Sequence, residues 1–174
     1  MRGSKAVYLL TLTIFIGCGL MAQAQEQIDY DGFSDLTAEV APIRQQRLVP
    51  LDSFNLYKGD AGTIILDTRS KAAFDAGHIK GAVHISFSDF TDQKLAEVIP
   101  SRDTRILIYC NNNFTDNTPP IMTKRSPLAL NIPTFINLYG YGYSNLYELS
   151  GQYSIHDKAI DWEAPAAPAT LEKN

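Results

Sequence analysis

The sequence predicts an α/β protein with a mainly parallel central sheet of about five strands and helices on both faces. Two observations support this fold class. Strand and helix signals alternate along the chain, as they do where parallel strands are joined by helical crossovers. The two strongest strand signals, residues 63–67 and 105–109, are short continuous apolar runs, a pattern typical of strands buried on both faces.

The composition is that of one globular domain. The chain has 174 residues, of which 45% are hydrophobic and 20% are charged, so disorder of the whole chain is excluded. A formal net charge of −4 argues against nonspecific binding to nucleic acids, which requires a basic surface. The 3 histidines and 2 cysteines lack the spacing of a zinc motif, and we expect no metal site.

The first 24 residues have the pattern of a signal peptide. Two basic residues, Arg2 and Lys5, precede an uncharged run over residues 6–17 that is too short to span a bilayer comfortably. Ala22 and Ala24 place small residues at the positions that signal peptidase reads. We therefore predict cleavage after Ala24 and a periplasmic or secreted protein without a stable membrane span.

Two alternatives concern the same segment. Cys18 follows Gly17, as in bacterial lipoprotein processing, although Phe15 stands where that pattern normally has Leu. The segment could also be retained as an N-terminal membrane anchor. Cleavage after Ala24 would leave 13 of the 15 basic residues, all 19 acidic residues and a single cysteine, Cys110. Such a cysteine is buried and inert, paired between molecules or chemically used.

The chain after the predicted cleavage site begins with a lead-in segment, residues 25–46. Apolar side chains at helical spacing predict a short helix over residues 26–39. A short strand over residues 47–50 and a short helix over residues 51–58 follow. The buried strand at residues 63–67 comes next.

The middle of the chain continues the alternation. We expect a short helix over residues 70–76 that ends at Gly77, and then a strand over residues 81–85. A further helix is predicted to begin at Ser86, because Asp89 three residues later forms a capping-box-like pair with it.

The second strong strand, residues 105–109, ends at Cys110. Pro133 suits the first position of the next helix, where its missing N–H costs no hydrogen bond. A helix that begins near Pro133 leaves residues 111–132 as a long loop, which we predict to be a partly ordered flap over Cys110. Residues 145–149 form the last predicted strand.

These elements place one domain over residues 47–163. Residues 164–174 are rich in Ala and Pro and are expected to form a disordered tail. Within the domain, Asp67 and Cys110 come at the carboxyl ends of the two strongest strands. Ligands of parallel sheets bind beyond that edge, so these residues are the first candidates for a functional site.

Several motifs resemble the rhodanese (sulfurtransferase) domain family. Residues 66–70 (LDTRS) match the family's Asp-x-Arg at a strand end, and residues 74–85 (FDAGHIKGAVHI) match the aromatic, His-Ile and Gly-Ala positions that follow. Lys80 replaces the usual Pro of this motif. Cys110 matches the catalytic cysteine of the family, which also follows a buried strand. Residues 142–151 resemble the segment before the family's Gly-Gly.

The resemblance implies a rhodanese-like fold and an exported sulfurtransferase or persulfide carrier. The Cys110 thiolate would take sulfur from a small donor such as thiosulfate or a persulfide and pass it to a thiophilic acceptor, either a small molecule or a protein. Backbone N–H groups of the loop after the cysteine and the N-terminus of the following helix would stabilise the thiolate. This chemistry implies no metal, no organic cofactor and no nucleic acid partner.

The loop after Cys110 departs from the family pattern, because no Arg, Lys or Gly occurs in it before Lys124. Its consecutive asparagines tolerate left-handed backbone and could still form a nest of N–H donors. Asp116 would repel an anionic donor if it faced inward, which makes thiosulfate itself a doubtful substrate, whereas Lys124 and Arg125 would supply positive charge if the loop folded back. The candidate substrate-binding residues are therefore Asn111, Asn112, Asn113, Phe114, Thr115, Lys124 and Arg125.

Asp67, Arg69 and His78 are expected to hold the site together rather than to react. Asp67 and Arg69 can form charge-assisted hydrogen bonds between a strand end and the neighbouring loops. We interpret His78 as a hydrogen-bonding residue that pins a loop.

Other functions are compatible with the same fold. A noncatalytic rhodanese-like binding or regulatory module is the main alternative, because the loop after Cys110 is atypical. A phosphatase of this fold would need Arg six residues after the cysteine to bind phosphate bidentately, and Asp116 occupies that position.

Overall fold

The computed structural model describes residues 27–165. The predicted signal peptide with its cleavage site at Ala24, the alternative lipidation site at Cys18 and the tail from residue 166 onward lie outside the described residues. Within the described range, no helix is both long enough and apolar enough to cross a membrane.

Helices and strands alternate along residues 27–165. The α-helices are α1 (Tyr30–Gln45), α2 (Leu51–Lys58), α3 (Lys71–Ala76), α4 (Asp92–Val98) and α5 (Asn131–Gly140). The strands are β1 (Leu48–Val49), β2 (Ile64–Asp67), β3 (His78–Ile79), β4 (Ala82–His84), β5 (Ile106–Tyr109), β6 (Leu146–Leu149) and β7 (Trp162–Glu163). Short 3₁₀ turns lie at Phe87–Asp89, Asn111–Asn113, Ser126–Leu128 and Lys158–Ile160.

A five-stranded parallel sheet forms the centre of the molecule, with the strand order β1-β6-β5-β2-β4. This confirms the predicted fold class. The two strongest predicted strands, β2 and β5, are neighbours, and Asp67 lies opposite Tyr109 at their carboxyl ends. The short strands β3 and β7 pair antiparallel in a separate two-stranded sheet.

Strand β5 shows why the central strands are apolar at every position. Ile106 and Ile108 belong to a core cluster with α1, α4 and α5, which contribute Val40, Leu95 and Phe135. The alternate residues Leu107 and Tyr109 belong to a second cluster, on the other face of the sheet. That second cluster includes Phe54 of α2 and Ile160. Because both faces of the sheet are covered, all four residues of β5 have 0% exposure.

Most predicted elements lie where the sequence places them, and α2 has the predicted bounds. Helix α3 begins after Ser70, whose hydroxyl oxygen accepts a hydrogen bond from the backbone N–H of Ala73 at 3.3 Å. It ends at Gly77, as expected. The lead-in helix α1 is longer than predicted and runs through Pro42 to Gln45, because Val40 packs in the same cluster as Leu138 of α5.

Three other predictions need correction. Ser86 does not begin an α-helix: a 3₁₀ turn follows it, Phe90 is extended, and Thr91 caps α4 instead, accepting a hydrogen bond from Lys94 N–H at 3.2 Å. Helix α5 begins at Asn131, which makes Pro133 its third residue, where an intrahelical N–H bond is still not required. Strand β6 is followed by β7, whose two residues pair only with the distant β3.

Candidate functional site

A pocket of about 240 Å³ opens at the carboxyl edge of the sheet, where β2 and β5 end side by side. Cys110 follows β5 and lines this pocket, although the residue is only 1% exposed. The structure therefore brings the predicted strand-end residues together, as the parallel pairing of β2 and β5 requires. The lining residues are Arg69, Ser70, Ala73, Cys110, Asn111, Asn112, Pro120, Lys124 and Leu130.

The protonation of Cys110 reflects opposing influences. Burial is the largest and raises the pKa of the thiol above its ordinary value. Backbone N–H groups of Asn112, Asn131 and Leu130 act on the sulfur in the opposite direction and lower this pKa, whereas the negative charge of Glu148 raises it. The N–H groups come from the loop after Cys110 and from the N-terminus of α5, so both favour the thiolate form of Cys110.

Asn113 shapes the loop rather than the pocket. Its side-chain Oδ1 accepts hydrogen bonds from the Cys110 backbone N–H at 2.9 Å and from Asn131 Nδ2 at 3.0 Å. Its Nδ2 donates to the carbonyl oxygens of Leu149 at 2.7 Å and Gly151 at 3.3 Å. Asn113 is 5% exposed and is not among the residues that line the pocket, and its hydrogen bonds hold the loop against β6.

Asn111 and Asn112 line the pocket and also fasten the segment that covers one side of it. Asn111 Nδ2 donates to the Met122 carbonyl oxygen at 2.9 Å. Asn112 makes two bonds to the backbone of Lys124, donating from Nδ2 to its carbonyl oxygen at 2.7 Å and accepting from its N–H at 3.1 Å. These bonds bring Lys124 to the pocket.

Phe114, Thr115 and Arg125 are not among the residues that line this pocket, and their role in substrate binding stays a prediction. Phe114 has 0% exposure because its ring packs edge-on against the rings of Tyr109 and Trp162. The Thr115 N–H donates to the Tyr153 carbonyl oxygen at 3.0 Å, and the Arg125 side chain is exposed beyond the pocket.

Asp116 also lies away from the pocket. Its carboxylate accepts hydrogen bonds from the Ile155 N–H at 2.9 Å and from the Ser154 hydroxyl at 3.1 Å. These contacts lower the pKa of Asp116 below its ordinary value. In this structure the Asp116 carboxylate therefore does not face the pocket, where it would repel an anionic donor.

Asp67 and Arg69 form a buried ion pair beside Cys110, with side chains that are 0% and 2% exposed. Arg69 Nη2 donates to Asp67 Oδ2 and to the Gly77 carbonyl oxygen, each at 2.6 Å. The Tyr109 hydroxyl also donates to Asp67 Oδ2, at 2.5 Å. The pair therefore joins β2, β5 and the turn after α3. Arg69 additionally lines the pocket.

His78 lies in the turn after α3 rather than in the pocket. Its Nδ1 lies 2.9 Å from the Phe74 carbonyl oxygen, and its ring stacks on the Phe74 ring with centroids 3.9 Å apart. These contacts hold the His78 side chain against α3.

No sequence motif pointed to Leu130, Asn131 or Glu148 as part of the site. Leu130 and Asn131 act on the sulfur only because α5 begins two residues before Pro133. Glu148 is an acidic residue inside a strand, 4% exposed, and that placement in an otherwise apolar run is a signal that could have identified it.

Comparisons with known proteins identify similar domains. A family model, the rhodanese-like domain, matches residues 52–154. The tRNA uridine(34) hydroxylase of Pectobacterium carotovorum is 24% identical over 135 residues, which cover 76% of this chain and 33% of that protein. This chain thus spans about a third of the length of that relative.

Solved structures also show similarity. A rhodanese-like domain from Anabaena sp. aligns with a TM-score of 0.46 and 19% identity, covering 74% of this chain and 89% of that one. A single-domain sulfurtransferase of Saccharomyces cerevisiae aligns with a TM-score of 0.40 and 14% identity, covering 61% of this chain and 84% of that one. With the family model matching more than half of its length, this chain belongs to the rhodanese-like domain family.

Proposed function

We propose that the protein is a sulfurtransferase or persulfide carrier that holds sulfane sulfur on Cys110. The observation that carries this proposal is the surroundings of the sulfur. Cys110 lines a pocket of about 240 Å³, and backbone N–H groups from the loop after β5 and from the start of α5 act on its sulfur. Such a cradle stabilises negative charge on a thiolate and, one atom further out, on a persulfide.

The charge of the pocket favours an anionic sulfur donor. Among the described residues that line it, Arg69 and Lys124 are cationic and none carries a carboxylate. The size of the pocket suits a donor of a few heavy atoms, such as thiosulfate or a small persulfide. A larger acceptor, including a protein thiol, would reach the sulfur from the open side.

The proposed reaction is a double displacement. The Cys110 thiolate attacks the outer sulfur of thiosulfate, the sulfur–sulfur bond of the donor breaks, and sulfite leaves with the bonding electrons. The enzyme then holds Cys–S–S⁻. An acceptor thiolate attacks the terminal sulfur, the sulfur–sulfur bond to Cys110 breaks, and the Cys110 thiolate is regenerated.

The protein is further proposed to act after export, since its first 24 residues have the pattern of a signal peptide.

The Pectobacterium relative is named for a reaction on tRNA, but a formal net charge of −4 does not favour an RNA substrate here.

A noncatalytic binding module is the second candidate function, and one observation favours it. Cys110 is 1% exposed and its pKa is raised by burial, so the resting thiol is less reactive at neutral pH than an exposed cysteine.

The experiment that separates the two functions is mass spectrometry after incubation with thiosulfate. The proposed function predicts a gain of about 32 Da on the Cys110 peptide, from one persulfide sulfur, and the release of thiocyanate when cyanide is added. Cys110→Ser should lose the adduct and the thiocyanate while it unfolds at the same temperature. No adduct on a folded, reduced wild-type protein, tested with thiosulfate and with glutathione persulfide, would favour the binding module. Undiminished thiocyanate release by Cys110→Ser would rule out Cys110 as the nucleophile.

A further inference from the structure

A buried chain of hydrogen bonds links the N-terminal helix α1 to the backbone of Cys110. Arg44, in the last turn of α1, donates from Nε to Glu148 Oε2 at 2.6 Å and from Nη2 to Glu148 Oε1 at 2.5 Å. Asn131 Nδ2 donates to the same Oε1 at 3.1 Å and to Asn113 Oδ1 at 3.0 Å. Asn113 Oδ1 in turn accepts the Cys110 N–H at 2.9 Å.

Glu148 is the buried charged residue in this series of hydrogen bonds. It lies on β6 opposite Ile108 of β5, and its side chain is 6% exposed. A carboxylate with so little exposure needs a cationic partner, because an unpaired buried charge is strongly destabilising. Arg44 provides that partner in a bidentate arrangement, with a side chain that is 26% exposed.

We propose that Arg44 is a positioning residue for the Cys110 site, which it serves by holding and neutralising the Glu148 carboxylate next to the start of α5. Arg44 lies outside residues 52–154, the part of the chain that matches the family model. The lead-in helix is therefore part of the site of this protein and not an appendage. The proposal deepens the proposed function, since it rests on Cys110 as the nucleophile.

The charges of Glu148 and Arg44 determine how each residue affects the ionisation of Cys110. The Glu148 carboxylate disfavours a thiolate on Cys110, and the guanidinium of Arg44 offsets that charge. The other charged groups near the sulfur are Arg69 and Lys124, which line its pocket, and Asp67, which is paired with Arg69. These three groups stay the same in the variants below.

The test measures how alkylation of Cys110 by iodoacetamide depends on pH in the full chain. Glu148→Gln should move the midpoint of the alkylation profile to lower pH by about half a unit or more, because a negative neighbour is removed. Arg44→Gln should move it to higher pH by a similar amount. In the double variant, loss of Arg44 should cause little further shift, because no carboxylate remains to be neutralised. Arg44→Lys should keep the midpoint close to that of the wild type.

Arg102→Gln is the matched control. Arg102 precedes β5, at the end of the sheet opposite the carboxyl edge, and forms an exposed ion pair with Asp92. The substitution makes the same chemical change as Arg44→Gln and should leave the midpoint of the alkylation profile unchanged. The proposal would be overturned if Arg44→Gln shifted the midpoint equally in the wild-type and Glu148→Gln backgrounds. It would also be overturned if Arg44→Gln lowered thermal stability without shifting the midpoint. If Arg44→Gln does not fold, Glu148→Gln and Arg44→Lys decide the matter, and an unmoved midpoint in Glu148→Gln contradicts the proposal. Because alkylation requires no sulfur donor, this outcome is independent of whether the protein transfers sulfur.

Discussion

Two adjacent cations after β5 have different access to Cys110. Lys124 is held at the pocket by two backbone hydrogen bonds to the Asn112 side chain. Arg125, the next residue, is exposed and lies outside the lining of the pocket. The sequence offered both residues as sources of positive charge, and the structure brings only Lys124 to the pocket.

This difference gives a prediction for the anionic donor. Lys124→Gln should raise the KM for thiosulfate about two- to fivefold, the range expected for one solvent-screened charge contact. Arg125→Gln is the control and should leave the KM unchanged. Steady-state thiocyanate formation measures both. Equal effects of the two variants would mean that the overall charge of the loop matters and not the position of Lys124.

We predict that the main role of Arg69 is to stabilise the fold. Arg69→Ala leaves Asp67 buried without its cation and should lower the free energy of unfolding by about 3–5 kcal/mol. Urea unfolding at neutral pH measures this loss. Lys71→Ala, which breaks the exposed pair with Asp75, should change stability by less than about 0.5 kcal/mol. An Arg69→Ala protein with unchanged unfolding and abolished turnover would show instead that Arg69 binds substrate directly.

At the scale of elements, the segment between β5 and α5 is a packed part of the domain. The length of the segment predicts a partly ordered flap over residues 111–132. Pro120 and Lys124 do line one side of the pocket, but Ile121 has 0% exposure and belongs to the core cluster that contains Tyr109. Asn117 Oδ1 accepts hydrogen bonds from the Thr123 N–H and hydroxyl at 3.0 and 2.8 Å, which fix the turn.

The packing of this segment gives a stability prediction. Ile121→Ala should lower the free energy of unfolding by about 2–5 kcal/mol, because it leaves a cavity in the core. The neighbouring Met122 is 53% exposed, and Met122→Ala should cost less than about 0.5 kcal/mol. Urea unfolding of the two variants provides the comparison. If Ile121→Ala is as stable as the wild type and its Cys110 reacts faster with small thiols, the segment is a mobile flap after all.

At the scale of the whole molecule, elements beyond both ends of the family match complete the domain. Helix α1 adds Val40 to one core cluster. At the other end, β7 pairs with β3 and brings Trp162 over Arg69, with 5.4 Å between the guanidinium carbon and the ring centroid. Residues near both ends of the described part of the chain therefore contribute to the packing of the domain.

Gly77 marks the contact between β7 and the rest of the domain. A Cβ at this position would lie 2.5 Å from Trp162 Nε1, and the backbone φ of 157° is rarely adopted by other residues. Gly77→Ala should therefore destabilise the protein by about 1–3 kcal/mol through overpacking. Gly81→Ala is the control, since Gly81 also has a positive φ but open space around it, and it should cost less. Thermal unfolding compares the two, and an equal loss would show that backbone strain alone is responsible.

Local sequence patterns predicted the fold class and marked Cys110 as the candidate nucleophile. Continuous apolar runs identify β2 and β5, because strands covered on both faces need apolar residues at every position. The family motifs around Asp67 and the position of Cys110 after β5 are local features, so they can be recognised without coordinates. Parallel pairing then places both residues at one edge, which is why the centre of the site was predictable.

The tertiary structure alone decided which side chains surround the sulfur. Asn113 and Phe114 come only three and four residues after Cys110. Contacts with residues far along the chain nevertheless turn Asn113 onto β6 and Phe114 into the core. Lys124 reaches the pocket through Asn112, and Glu148 reaches Arg44 across the gap between β6 and α1. These placements depend on contacts that join residues up to 104 positions apart, and periodicity and motif spacing report only on neighbours in sequence.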